Sequence, residues 1–136
     1  MATAAVTEAV PERKAAAVRK SKVALRAFLR IMEAWQVPDD QARVLLGNPS
    51  RTTFHNYRTG KVPALGSDVL ERISYILGIY KDLQVLIPHP ESADAWIKKP
   101  NRQWGGRTAL ARMLGGKVAD LYEVRRYLDA ARGSDL

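Results

Sequence analysis

Residues 95–116 read AWIKKPNRQWGGRTALARMLGG, and the fold of the chain is read outward from them. Trp96 and Trp104 bracket a basic loop punctuated by Pro100 and by Gly105-Gly106, and the loop opens directly into a short helix. Thr108 is placed to cap that helix, because its hydroxyl can accept from a free backbone N–H of the first turn. Leu110, Met113 and Leu114 fall on one face, and Gly115-Gly116 supply the positive-φ residues that end a helix. Two large aromatics flanking a rigid loop offer much apolar area with few torsions to freeze, which suits a contact surface. The competing reading, commoner for this residue type, is that both rings plug the core of a small helical domain.

Upstream, residues 39–60 carry a second pattern. Asp39 or Asp40 is expected to cap a short helix bearing Ala42, Val44, Leu45 and Leu46, and Gly47 turns the chain. Asn48 then serves as an N-cap with Pro49 at the first helical position, and a second helix runs to about Thr59 with Gly60 as its stop. Two short helices joined by a glycine turn read as a helix-turn-helix. On the second helix Phe54 and Tyr57 turn inward, leaving a polar outer face. Arg binds guanine and Asn binds adenine in bidentate fashion, while Ser and Thr hydroxyls reach phosphates. The expected DNA-contacting set is therefore Ser50, Arg51, Thr52, His55, Asn56 and Arg58; a merely solvated polar face is the alternative.

The two patterns together resemble one family. The stretch 95–116 is similar to the C-terminal toxin-binding domain of the Xre/MbcA/ParS antitoxins. Its pattern is a Trp, a short gap, Pro-Asn, a loop, Gly-Gly-Arg-Thr-Pro-Leu and a glycine after the helix. Trp96, Pro100, Asn101, Gly105, Gly106, Arg107, Thr108, Leu110 and Gly115 match it. Ala109 stands where a Pro is common, which costs a preference at the first helical position. The fragment LLGNPSRTTFHNYRTG, residues 45–60, resembles the Xre-type helix-turn-helix, although its Ala42-to-Gly47 spacing departs slightly from the commonest repressor pattern. The resemblance covers about residues 40–133.

Composition agrees with a globular helical protein. Of 136 residues, 46% are hydrophobic and 26% charged, an ordinary balance for a soluble domain. There is no cysteine, which removes disulfides and thiolate metal sites. No apolar run approaches the ~20 residues of a membrane span. The net charge of +8 is uneven: eleven Lys/Arg against five Asp/Glu over residues 1–61, eleven against nine over 62–136. The excess sits where a polyanion would dock.

The expected organisation has three parts. Residues 1–12, small and closed by Pro11, read as a disordered arm. Residues 13–66 hold a first amphipathic helix and the helix-turn-helix, serving DNA binding and dimerisation. On the first helix Val23, Leu25, Phe28, Leu29, Ile31, Met32 and Trp35 form an inner stripe, with Arg19, Lys20, Lys22, Arg26 and Arg30 on the other side. Residues 67–136 form a helical toxin-binding domain. Ser67 caps a helix carrying Val69, Leu70, Ile73, Ile76, Leu77 and Tyr80. Gly78 marks a kink or is tolerated, and Val118, Leu121, Val124, Leu128 and Ala131 line a last helix ending at Gly133. The fold class is all-α, with about seven or eight helices and no strand signal.

No catalytic set is expected. His55 and His89 are far apart in sequence, neither sits in a carboxylate cluster, and phosphate loops, nucleophile elbows and metal-ligand spacings are missing. Neither cofactor nor metal is expected. The resemblance implies a cytoplasmic antitoxin that represses its own operon as a homodimer within a hetero-oligomeric complex. It further implies a RES-domain toxin as partner, a class that degrades NAD or transfers its ADP-ribose. The toxin-facing residues it implies are Trp96, Asn101, Arg107, Arg132, Gly133, Ser134, Asp135 and Leu136, with the end of the chain at the toxin's NAD pocket. The alternatives are a stand-alone helix-turn-helix regulator and an NAD-processing enzyme.

Overall fold

A computed structural model describes residues 2–133, with side chains from Ala9 onward. Its centre is the helix Ser67–Leu86, which presents Ile73, Ile76, Ile79 and Leu83 as fully buried side chains. In chain order the seven α-helices of the described residues are α1 (Ala2–Ala34), α2 (Asp39–Leu45), α3 (Arg51–Arg58), α4 (Ser67–Leu86), α5 (Pro90–Ala95), α6 (Ala109–Met113) and α7 (Val118–Gly133). Two 3-10 turns, Trp96–Lys98 and Arg102–Trp104, lie between α5 and α6. The fold is all-α; among the described residues β pairing amounts to one isolated bridge between Pro100 and Thr108.

α4 is apolar on more than one side, and it packs against α7 on one flank and α1 on another. α1 brings Leu25, Phe28, Met32 and Trp35 to this core, and α7 brings Leu121, Val124 and Leu128. These are the inner stripes that the 3.6-residue period marks out, with Val23 the exception at 67% exposed. Gly78, in the middle of α4, is neither kink nor accident. A Cβ there would lie 2.5 Å from Cζ of Arg125, so the glycine is the notch through which the α7 guanidinium crosses α4. That guanidinium donates to the Ser74 carbonyl at 3.2 Å and lies 6.0 Å from the centre of the Tyr75 ring.

Four boundaries differ from expectation. The disordered arm expected over residues 1–12 is helix, because α1 begins at Ala2 and contains Pro11. Its many alanines have the highest helix propensity, and Pro11 forfeits one intrahelical bond, which a 33-residue helix absorbs. Ser50, not Asn48, caps α3, its Oγ accepting from the Thr53 N–H at 3.0 Å. Asn48 instead adopts φ +63°, tolerated by its short polar side chain, and its N–H donates to the Arg43 carbonyl at 2.7 Å, closing α2 behind Gly47. Likewise Gly66, not Ser67, sits at the N-cap of α4, and Pro38, not Asp39 or Asp40, at that of α2; neither start has a side-chain cap. The chain ahead of α4 is pinned from outside it: buried Ser21 accepts from the Leu65 N–H at 2.9 Å.

The helix-turn-helix and the C-terminal helices touch directly. Lys98 Nζ donates to the Gln36 carbonyl at 2.6 Å, and Gly116, at φ +86°, lies against Val44 of α2. A side chain at Gly116 would be strained there, which gives that half of the expected glycine pair its role.

Candidate functional site

The outer face of α3 is smaller than its sequence suggests. Arg51, Thr52 and His55 are exposed and point away from the core, where Phe54 is buried. Arg51, 82% exposed, has the exposed Asp40 at 3.8 Å and is held loosely. Asn56 is half-buried. Ser50 spends its hydroxyl on the cap of α3 and on Thr53. Arg58 is exposed but engaged within the chain: its Nε lies 3.1 and 3.2 Å from the two Asp39 oxygens, its Nη2 also donates to Asp39, and Cζ stands 5.3 Å from the centre of the Phe54 ring. It straps α3 to the start of α2. Arg43 completes the strapping, its Nε donating to the Pro49 carbonyl at 3.0 Å. The structure thus brings Arg51, Thr52 and His55 together on the outward edge of α3, while the exposed Ser50 and Arg58 also make contacts within the fold.

The second surface is built by the loop between the 3-10 turns and α6. Asn101 organises it. Its N–H donates to the Arg107 carbonyl at 2.9 Å, its carbonyl accepts from Trp104 and Gly106, and its Oδ1 accepts from the Gln103 N–H at 2.9 Å. Closing so short a loop needs two successive left-handed residues, and Gly105 and Gly106 take φ +64° and +85°. Thr108 then caps α6 as expected, its Oγ1 accepting from Ala111 N–H at 3.0 Å.

This loop sets Trp104 edge-on to Trp96, with ring centres 5.7 Å apart. A third ring joins them. Tyr127, on α7, stacks on Trp96 at 6.3 Å and meets Trp104 edge-on at 5.1 Å. All three rings are half-buried, so neither a sealed core nor a fully exposed patch describes them. Sequence reasoning missed Tyr127. The available signal was its place three residues after Val124 and one before Leu128, at the edge of the inner stripe of α7. A shallow groove of about 260 Å³ runs beside the rings, lined by Gln103, Trp104, Arg107 and Arg112. Arg107 is exposed and has no side-chain bond among the described residues. Arg112 has Asp120 at 3.4 Å.

Arg132 is differently placed. Its Nη1 donates to Oδ1 of Asp82 on α4 at 2.9 Å. The Asp82 side chain is 4% exposed and its Oδ2 has no partner. Burial first, then the neighbouring Asp129 carboxylate, raise the Asp82 carboxyl above its usual range, and the Arg132 guanidinium pulls it down against them. Gly133 is the last residue of α7; Ser134, Asp135 and Leu136 lie outside the described residues. His55 and His89 are both exposed, and among the described residues no group of three or more His, Cys, Asp or Glu could hold a metal ion. Nor is any helix long and apolar enough to cross a membrane.

Comparison with known proteins covers both surfaces. A family profile described as the antitoxin Xre/MbcA/ParS C-terminal toxin-binding domain matches residues 82–133. Another, described as the antitoxin Xre-like helix-turn-helix domain, matches residues 14–78. The chain is 46% identical over 111 residues to the uncharacterized protein y4oB of Sinorhizobium fredii (strain NBRC 101917 / NGR234), spanning 80% of this chain and 84% of that one. No solved structure gives a significant match.

Proposed function

We propose that this chain, which belongs to the Xre/MbcA/ParS antitoxin family, neutralises a RES-domain toxin that degrades NAD or transfers its ADP-ribose. In the same reading it represses its own operon through α3, working in the cytoplasm as a homodimer inside a hetero-oligomeric complex and catalysing nothing itself. Residues 13–66 serve DNA and dimerisation, and 67–136 serve the toxin.

The observation that carries the toxin-facing half is the aromatic trio. Three large rings pack on one another while each stays half-exposed. Rings that served as core alone would be covered more fully. Rings already packed together have little side-chain freedom left to lose on binding, which favours association. Arg107 beside them is an uncommitted bidentate donor, suited to a partner's carboxylate. Asn101 shapes the loop that holds both. Arg132 orients the end of α7 through Asp82, and Gly133 leads to residues 134–136. There Asp135 offers an anionic group to a pocket built for the phosphates of NAD.

The test pairs this protein with the product of a neighbouring RES-type reading frame. Trp104→Ala and Arg107→Ala should each weaken the complex by about 30-fold, roughly 2 kcal/mol, while far-UV circular dichroism is retained. Deleting residues 133–136 should leave the complex intact and return NAD turnover at least in part. Unchanged affinity in both point variants would move the toxin surface elsewhere, and full inhibition by the truncated protein would leave occlusion by the folded domain as the mechanism. A chain that binds its operator but no such toxin would be a stand-alone regulator.

A further inference from the structure

A sizeable groove lies away from the aromatic trio and beside the outer edge of α3. It measures about 410 Å³ and runs between α1 and the C-terminal turn of α3, residues 57–60. Its floor is apolar, from Leu25, Leu29 and Val62, and its α1 wall is cationic, from Lys22, Arg26 and Arg30. At 3.6 residues per turn these three and Arg19 fall within an arc of about 80°, one stripe along the helix. Lys22, Arg26 and Arg30 are exposed, and none has an ion pair or side-chain hydrogen bond among the described residues. Glu33, the acidic residue of the lining, closes the C-terminal end.

The contrast with the helix-turn-helix itself is the point. Its arginines, Arg43, Arg51 and Arg58, each have an aspartate within ion-pair distance. A cation already facing a carboxylate adds less net attraction to a polyanion than one that faces water alone. The α1 row carries no such counter-charge, and it continues the surface of α3 through Arg58 and Thr59, which line the same groove.

We propose that Lys22, Arg26 and Arg30 form a phosphate clamp on the DNA flank. They would grip the sugar–phosphate backbone beside the groove that Arg51, Thr52 and His55 enter, and supply most of the salt-dependent affinity. The proposal rests on the DNA-binding reading of α3 and assigns a separate set of residues to a separate part of the duplex. The row from Lys22 to Arg30 is about 12 Å long at 1.5 Å per residue, and duplex DNA carries on the order of seven backbone charges over that length. Phosphate contacts fix register and orientation without reading sequence, so these three residues position α3 and do not choose its site.

The clamp is tested on a mixed-sequence duplex of about 30 base pairs, since phosphate contacts do not depend on sequence. The full chain and the variant Lys22→Gln/Arg26→Gln/Arg30→Gln are titrated by fluorescence anisotropy from about 0.05 to 0.2 M salt. At about −0.9 in log K against log salt for each phosphate neutralised, the triple variant should flatten the slope by about 2.7. At 0.1 M salt it should lose on the order of 10²-fold in affinity. A control, Lys81→Gln/Lys117→Gln/Arg126→Gln, removes the same charge from exposed positions on and beside α4 and α7 and should move the slope by less than about 1. Thermal unfolding should not separate the α1 variant from wild type, because these side chains hold nothing in the fold. A wild-type slope that the α1 variant leaves unchanged overturns the clamp, as does an equal drop in variant and control, which would make the effect one of net charge. Unchanged DNA binding with lost affinity for anionic phosphatidylserine vesicles overturns it in favour of a membrane surface. If the wild type binds no duplex even at the lowest salt, the DNA reading of α3 itself fails, a separate result.

Discussion

Arg132→Ala separates two roles for the last turn of α7, a toxin contact and an internal strut. Asp82 is 4% exposed, Arg132 donates to its Oδ1 at 2.9 Å, and the Asp129 carboxylate lies close enough to raise its carboxyl. Removing one partner of a fully buried pair costs about 3–5 kcal/mol. The Arg132 side chain is 37% exposed, so water screens the pair and can enter when it is lost, and the figure falls to about 1–3 kcal/mol. For a chain of this size, 2 kcal/mol lowers Tm by roughly 5–10 °C. The sign of the pH dependence follows from Asp82. Its folded-state carboxyl titrates above its ordinary 3.8, through burial first and Asp129 second. Between the two values the folded chain holds more proton than the unfolded one, so stability falls as pH rises through that window. The penalty is fully present above the folded-state value and absent below 3.8. Without Arg132 the carboxyl is pushed higher still, so the variant's deficit is largest near neutral pH and shrinks in acid. Asp82→Asn in the same chain should abolish most of it. Urea unfolding followed by circular dichroism at about pH 7 and about pH 4.5, with toxin affinity measured on the folded protein, decides the matter. Wild-type stability at both pH values together with lost toxin binding would refute the strut and make Arg132 a contact.

Gly78→Ala should be neutral or cost up to about 1 kcal/mol in the wild type. The gain in helix propensity, about 1 kcal/mol, is offset by displacing Arg125 from the Ser74 carbonyl and from the Tyr75 ring. In an Arg125→Ala background the same change should stabilise by about 1 kcal/mol, and equal effects in both backgrounds would deny that Gly78 is a notch. On DNA, Arg51→Ala should weaken operator binding by roughly 1–3 kcal/mol with no loss of stability, since Arg51 is 82% exposed. Arg58→Ala should destabilise the fold as well, by up to about 1 kcal/mol, because it unstraps α3 from Asp39. An Arg58→Ala protein as stable as wild type but defective on DNA would return that residue to the contact surface.

Local chemistry was legible in the sequence where one residue decides the outcome. Thr108 caps α6, and the apolar stripes of α4 and α7 face inward, because caps and periodicity act within a turn or two. Where neighbours competed, the expectation slipped by a residue or two: Asn48 and Ser50 both suit a cap, and only the left-handed turn at Gly47 and Asn48 chooses between them. Pro11 suggests a boundary by residue type, yet the alanines around it sustain helix. The aromatic site was half legible. Trp96 and Trp104 stand eight residues apart in a recognisable loop, but Tyr127 reaches them from α7, and that proximity comes from tertiary packing alone.

Charge was the least legible property, for a reason these residues make plain. A sequence counts every cation alike, and by type Arg58 and Arg132 looked as suited to a ligand as Arg51 and Arg107. Their aspartates lie 19 and 50 residues away, at Asp39 and Asp82, and no spacing rule links such pairs. Folding therefore divides the basic residues into two populations. Arg58, Arg125 and Arg132 hold helices together and have little left to offer a partner. Lys22, Arg26, Arg30 and Arg107 have no side-chain partner among the described residues. Three of these four line the groove beside α3 and the fourth borders the aromatic trio, although other exposed cations, Lys81, Lys117 and Arg126 among them, lie on neither surface. An uncommitted cation contributes its full field at an interface, whereas a paired one must first give up its carboxylate, so net charge read from sequence alone does not show which cations can hold a partner.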